Sequence, residues 1–176
     1  RVVNHDCNAP DLVYLGTTPH GTPVCINAEA AHADRVICLG ASTHHVMAGF
    51  GGGRKSILPG ISGMDTICHN HAFALDPVCL RSNARIGNGK LNDNPLNDDM
   101  CEAAAMVKNL FMVTLVMNAE MKLAELYGAL SPFLAGGLRG GGSHLPGGDS
   151  RKVGCGGRQL RRLPEGYVPV PGDEDH

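Results

Sequence analysis

Side chains that can bind a metal or move a proton concentrate between residues 44 and 71. The window contains His44, His45, Cys68, His69 and His71. Between the two histidine pairs lie glycines at positions 49, 51, 52 and 53, followed by Arg54 and Lys55. Imidazole titrates near neutrality and is the commonest metal ligand. The window therefore favours proton transfer or metal binding beside a glycine-rich, basic loop.

The glycine-rich loop predicts a site for an anionic cofactor or substrate. Glycines let the backbone approach a ligand closely and expose successive amides, which we expect at Gly51, Gly52 and Gly53. A flexible surface hairpin with solvated charges is the alternative. A phosphate-binding P-loop and a dinucleotide fingerprint would both need glycine where this chain has Arg54. We therefore do not expect an ordinary NTPase or NAD site.

The spacing within each histidine pair separates its members. Residues 69 and 71 lie two apart, so on a helix their side chains point to different sides and cannot share one ion as an i, i+4 pair would. The adjacent residues 44 and 45 diverge in the same way. We expect one member of each pair to be a ligand or base and the other to be structural or exposed. A structural zinc site is a weaker interpretation because the cysteines lack its spacing.

Short apolar runs alternate with helix-forming stretches before residue 131, which predicts an α/β domain. Strands are predicted at 12–15, 24–27, 35–40 and 110–117, and helices at 28–33, 64–75 and 97–108. The last helix is predicted to be capped by Asn97 or Asp98. Local propensity alone favours a helix at 119–130.

Composition limits the class of protein. The chain has 176 residues, with 15 Lys+Arg against 17 Asp+Glu, so nothing favours a nucleic acid or an acidic membrane as partner. Its apolar runs are too short to span a bilayer. Seven cysteines without a C-x-x-C pair suit reduced thiols in the cytoplasm. Residues 131–176 are rich in glycine and arginine, which predicts an irregular or disordered tail outside the fold.

The string from His45 to His71 resembles the signature of the nickel-dependent lactate racemase (LarA) family. It combines, at the family's spacings, a histidine, the loop GFGGGRKS, the turn ILPG and a closing Asn-His pair. The similarity extends outward through LGTTPHGTPVCIN, ADRVICLG, NPLNDDMCEAA and LFMVTLVMN, so it covers residues 1–130. It implies an incomplete, Rossmann-like N-terminal domain there. It also implies a strand at 119–130 paired with 110–117, against local propensity.

The resemblance implies a role for individual residues. Lys55 matches the lysine to which the family commonly tethers a nickel pincer nucleotide, a pyridinium-3,5-bisthiocarboxylic acid mononucleotide that holds nickel. His71 matches the protein ligand to the nickel, and imidazole is a donor that suits this ion. His45 matches one of two acid/base catalysts. From its charge alone, Arg54 is expected to neutralise a cofactor phosphate or a substrate carboxylate.

The resemblance further implies racemisation or epimerisation of a 2-hydroxy acid, most simply lactate, by proton-coupled hydride transfer. Other 2-hydroxy acids such as malate or a sugar acid are alternative substrates, and the enzymes that make the cofactor are implied partners. The family's second catalytic base and its second domain have no counterpart in this sequence, and the chain starts at Arg1, so we expect a fragment that is inactive alone. A catalytically inactive nucleotide- or metal-binding module is the rival interpretation.

Overall fold

The chain folds into short strands and helices that surround one apolar core. The structure is a computed structural model, which describes residues 1–79, 81–118 and 120–130, without the side chains of residues 125, 127, 129 and 130. The strands are β1 Val13–Thr17, β2 Pro23–Ile26, β3 Val36–Ala41, β4 His44–His45, β5 Gly49–Phe50, β6 Leu110–Met117 and β7 Leu123–Leu130. The helices are α1 Ala28–Ala31, α2 Arg54–Ile57, α3 Met64–Ala72 and α4 Pro95–Ala105.

The largest sheet has the strand order β3-β6-β7. Strands β3 and β6 are parallel, with Val36 opposite Leu110, and the connection between them carries α2, α3 and α4. Strand β7 returns antiparallel to β6. Two small antiparallel hairpins, β1-β2 and β4-β5, lie outside this sheet. The mixed α/β prediction is confirmed, whereas the Rossmann-like description stays a prediction.

Most predicted elements are present with shifted ends. The strand predicted at 110–117 has the observed limits, and the one implied at 119–130 is β7, so the resemblance was correct where local propensity was not. The cap predicted for α4 is wrong. Asn94 caps this helix, because Pro95 fits the first helical turn and the Asn94 side chain accepts a hydrogen bond from the Asn97 amide.

The core is built from small and aliphatic side chains, in keeping with the scarcity of aromatic residues. Its most deeply buried members come from β2, α2, α4 and the start of β6: Val24, Ile26, Ile57, Leu58, Leu96, Met100, Ala103 and Leu110. Each large aliphatic side chain contributes roughly 1.5–3 kcal/mol when fully buried. The core therefore fastens α2, which lies inside the window at 44–71, and α4 to the strands.

The described residues test three further sequence predictions, on the tail, the cysteines and membrane-spanning segments, to different extents. The predicted tail at 131–176 lies outside the described residues, and the boundary at residue 130 stays a prediction. Cys7, Cys25, Cys38, Cys68 and Cys79 are free thiols. Within the described part of the chain, every helix is too short or too polar to cross a bilayer.

Candidate functional site

His45 is held at the start of a tight turn. It ends β4, it is half-buried, and its Nδ1 atom accepts hydrogen bonds from the backbone amides of Met47, at 3.2 Å, and Ala48, at 3.0 Å. The turn then leads into β5, where Gly49 pairs with His45. The ring is therefore fixed by its own backbone and keeps its second nitrogen, Nε2, for other contacts.

Lys55 lies on the short helix α2, which follows the glycine-rich loop directly. Its backbone amide donates to the Gly52 carbonyl, and its own carbonyl accepts from the Gly60 amide. The turn ILPG follows and requires glycine at its last position, because a Cβ at Gly60 would lie 2.4 Å from the Ser56 carbonyl oxygen. The backbone of Lys55 is thus fixed at both ends, while the side chain is half-exposed.

His71 lies on α3, which is anchored to β2 and to α4. Thr66 joins α3 to β2, since its hydroxyl donates to the Pro23 carbonyl and accepts from the Cys25 amide. Asn70 is fully buried and donates from Nδ2 to the Leu96 carbonyl and to Asp99 Oδ2, at 2.7 Å. In the Asn-His pair the asparagine therefore secures the helix, while His71 remains half-buried beside it.

Burial and mutual repulsion identify His45, Lys55 and His71 as one electrostatic cluster. Burial is the largest cause of a lowered pKa at all three residues. The charge of Lys55 further lowers the pKa of both histidines, and His71 also lowers the pKa of His45. The structure thus places the three residues within electrostatic range of one another, and their functional roles stay predictions. At neutral pH the cluster favours neutral imidazoles.

Arg54 points inward, away from the position expected for a residue that binds an anion. It is 4% exposed, and its guanidinium donates to the carbonyls of Ala48, Phe50 and Gly51. Burial lowers its pKa to about 10, so it is still a cation at neutral pH. These contacts favour a role in fastening the loop over the predicted role in neutralising a ligand.

The loop glycines are also buried, and their contacts are with protein. A Cβ at Gly51 would lie 2.8 Å from the Ala41 carbonyl oxygen, and one at Gly53 would lie 2.7 Å from the Met112 Cβ. Both glycines therefore allow the loop to pack closely against β3 and β6. Gly52 is buried between them. A cofactor-binding role for Gly51, Gly52 and Gly53 stays a prediction. The packing contacts offer a different explanation for glycine at these positions.

The second member of each histidine pair lies on the surface. His44 is exposed and stacks on Phe50, with ring centroids 4.9 Å apart. His69 is exposed, and its Nδ1 lies 2.9 Å from the Asp65 carbonyl oxygen, one helical turn away. The structure thus separates both pairs into one half-buried and one exposed histidine, as the spacing predicted.

One set of side chains with metal-ligand geometry occurs elsewhere among the described residues, and the sequence did not indicate it. The ligand atoms of His20, Asp99 and Glu102 lie within 4.8 Å of one another. Asp99 is fully buried, however, and Thr18, Thr22 and Asn70 already donate to its two oxygens. His20 Nδ1 is hydrogen-bonded to Glu102 at 2.8 Å. This set is better explained as a structural hub than as a metal site.

Comparison with known proteins shows that the chain is similar to the N-terminal part of lactate racemases. Residues 1–80 match the model of the lactate racemase N-terminal domain family. The chain is 34% identical over 128 residues to the lactate racemase of Thermoanaerobacterium thermosaccharolyticum, a match that covers 72% of this chain and 28% of that protein. It is 40% identical over 114 residues to the lactate racemase of Lactiplantibacillus plantarum, covering 64% and 25%. The resemblance seen in the sequence is confirmed.

Solved structures agree with this relationship. The lactate racemase apoprotein from T. thermosaccharolyticum superposes with a TM-score of 0.65 at 33% identity, covering 72% of this chain and 30% of that one. A Thermotoga maritima protein superposes with a TM-score of 0.56 at 22% identity, covering 73% and 34%, which shows a shared fold alone. The chain spans about a quarter of the length of the curated relatives that it matches.

Proposed function

We propose that this chain supplies the cofactor tether and the nickel ligand of a lactate racemase-like enzyme. The observation that carries the proposal is the cluster of His45, Lys55 and His71, each with a pKa lowered by burial. In this assignment Lys55 holds a nickel pincer nucleotide covalently, and His71 binds its metal. The enzyme acts on a 2-hydroxy acid, and the enzymes that make the cofactor are its partners.

The donor set suits a metal that arrives with most of its ligands. Among the described residues, the metal-capable set of three side chains lies at Asp99 and does not include His71. A single imidazole can complete the coordination of an ion that a cofactor already holds, whereas it holds a free ion weakly. Lys55 fits a tether because burial favours its neutral, nucleophilic amine. The glycine-rich loop contributes to this fit by fixing Lys55 and not by forming an open cradle.

The protein's part in the reaction follows from these positions. Lys55 and His71 would hold the cofactor, which would supply a hydride acceptor for the reaction. His45 exchanges a proton or a hydrogen bond with the substrate oxygen, and its neutral ring at physiological pH suits either task. His71 orients the metal from the well-anchored helix α3. We assign three properties to the whole enzyme: the second group that handles a proton, the choice of 2-hydroxy acid, and racemase activity itself. The curated relatives are about four times longer than the segment that matches this chain.

The tether and the ligand can be tested separately in protein coexpressed with the cofactor-making enzymes. Intact mass should show an adduct that Lys55→Ala removes and that substitution of the exposed Lys108 does not. Nickel, measured by elemental analysis, should fall at least tenfold in His71→Ala. In Lys55→Ala, nickel and adduct should be lost together.

The matched control for the ligand is His69→Ala, which removes an exposed imidazole two residues away on the same helix. It should keep both nickel and adduct. An adduct that survives Lys55→Ala contradicts the tether, and equal loss of nickel in the His69 and His71 variants contradicts the ligand assignment. Racemisation of L-lactate by the 176-residue chain alone, with cofactor added, would contradict the division of the catalytic groups between this chain and the rest of the enzyme.

A further inference from the structure

Asn94 connects helix α4 to the turn that holds His45. Its Oδ1 accepts the Asn97 amide at 3.1 Å, which caps the helix. Its Nδ2 donates to the carbonyls of Met47, at 2.8 Å, and Lys90, at 2.9 Å. The Asn94 side chain itself is fully buried. The contact with Met47 spans 47 positions in the sequence and serves no secondary structure.

The Met47 carbonyl and the Ala48 amide belong to the same planar peptide group. In a trans peptide the C=O and the N–H point in opposite directions. Asn94 binds the carbonyl side of this group, and His45 Nδ1 accepts from the amide side at 3.0 Å. Holding the carbonyl therefore orients the amide toward the ring. Arg54 supports the next peptide group by donating to the Ala48 carbonyl at 3.1 Å.

We propose that Asn94 is a positioning residue which, through the peptide between Met47 and Ala48, fixes His45 in the tautomer that carries its proton on Nε2. Two amide protons point at Nδ1, from Met47 and Ala48, so this nitrogen must present its lone pair. A neutral imidazole then carries its single proton on Nε2. Protonation of Nδ1 would require both amides to turn away.

A consequence for chemistry rests on the proposed function, although the tautomer itself does not. In this arrangement the resting His45 ring meets a substrate oxygen as a hydrogen-bond donor from Nε2. Among the described residues, no partner of Nε2 is present to compete with a substrate. A neutral histidine of this kind polarises a carbonyl oxygen, as is known for other isomerases.

The tautomer can be read directly by NMR on the 176-residue chain, labelled with ¹⁵N and without cofactor or metal. Wild type should show a scalar coupling across the hydrogen bond between the Ala48 amide nitrogen and His45 Nδ1. The ¹⁵N chemical shift of Nε2 should be typical of a ring nitrogen that carries a proton. A His45→Gln sample assigns the ring signals. Asn94→Asp and Asn94→Ser both keep an oxygen that can cap α4 but lack the Nδ2 donor. Each should lose the coupling and shift both ring nitrogens toward the values of the exposed His44.

The matched control is Asn83→Asp. Asn83 is also nearly buried, accepts the Arg85 amide at 3.1 Å and donates to the Phe73 carbonyl at 3.0 Å, but it does not contact the turn. It should leave the His45 signals unchanged. A missing coupling in assigned wild-type spectra, or wild-type coupling in both folded Asn94 variants, overturns the proposal. So does loss of the folded amide spectrum in both Asn94 variants, which would make the residue a structural cap only. Loss of nickel binding in other experiments would leave this result unchanged.

Discussion

Two neighbouring polar clusters share helix α3 and differ in how deeply their side chains are buried and in how many hydrogen bonds join them. Asn70 belongs to the hub around Asp99, where both carboxylate oxygens accept bonds from buried donors. His71, the next residue, belongs to the cluster with His45 and Lys55, where the side chains are half-buried and charge is disfavoured. The hub contains the better metal-like geometry, yet the incomplete cluster is the better candidate for chemistry.

The difference shows why distances alone do not identify a functional site. A buried carboxylate such as Asp99, which already accepts three hydrogen bonds, retains little capacity for an ion, and separating it from its donors is costly. Partly buried imidazole and amine groups retain a free atom and an altered pKa, which are the properties that binding and catalysis require. The hub therefore anchors helix α3 through Asn70, and this helix positions His71 of the cluster.

The largest effect is expected from breaking the hub. Asp99→Ala leaves the donors of Thr18, Thr22 and Asn70 buried without their acceptor. Each unsatisfied buried group costs about 1–3 kcal/mol, and part of this is recovered because the hydroxyls can rotate. We expect the free energy of unfolding to fall by about 3–5 kcal/mol in urea titrations.

Asp98→Ala is the control, because it removes the adjacent carboxylate from the same turn of α4. Asp98 is half-buried, and burial raises its pKa, so the fold gains little from its charge. Its loss should cost less than about 1 kcal/mol, the scale of a helix-dipole interaction. Equal losses in the two variants would remove the distinction between hub and surroundings.

Sequence reasoning succeeded where the signal was local and failed where it was distributed. The strand at 110–117 and the division of both histidine pairs follow from local patterns. The cap of α4 was missed although the Asn94-Pro95 dipeptide carries a recognisable signal. The hub could not be found in this way, because Thr18, Asn70 and Asp99 are far apart in sequence and ordinary in type.

The next effect tests whether the loop beneath the cluster is packed like the hub. Gly53→Ala should cost about 1–3 kcal/mol, because the new Cβ meets the Met112 side chain. The backbone at Gly53 is right-handed helical, with φ −55° and ψ −34°, so alanine is otherwise acceptable there. In a Met112→Gly background, which removes the Met112 Cβ together with the rest of the side chain, the same change should be neutral or stabilise by about 0.4–1 kcal/mol.

A double-mutant cycle from four urea titrations measures this coupling. Additive losses would mean that Met112 is not the obstacle, and the cofactor-approach interpretation of the glycines would gain support. The sequence could not distinguish these cases. A run of glycines indicates close approach to the backbone, but it does not say whether the approaching group is a ligand or another part of the protein.

The smallest effect concerns the cluster itself and is a shift in titration, not in folding. Burial disfavours the Lys55 ammonium, and the Arg54 charge adds to this, so the pKa of Lys55 is lowered. A lowered pKa means that the neutral amine appears at a lower pH than in the unfolded chain. Trace acylation between pH 7 and 11, analysed by peptide mass spectrometry, should therefore place the Lys55 midpoint below its value in the urea-unfolded chain. Coinciding midpoints would show that Lys55 behaves as an ordinary surface lysine, and the contrast between hub and cluster would then rest on the histidines alone.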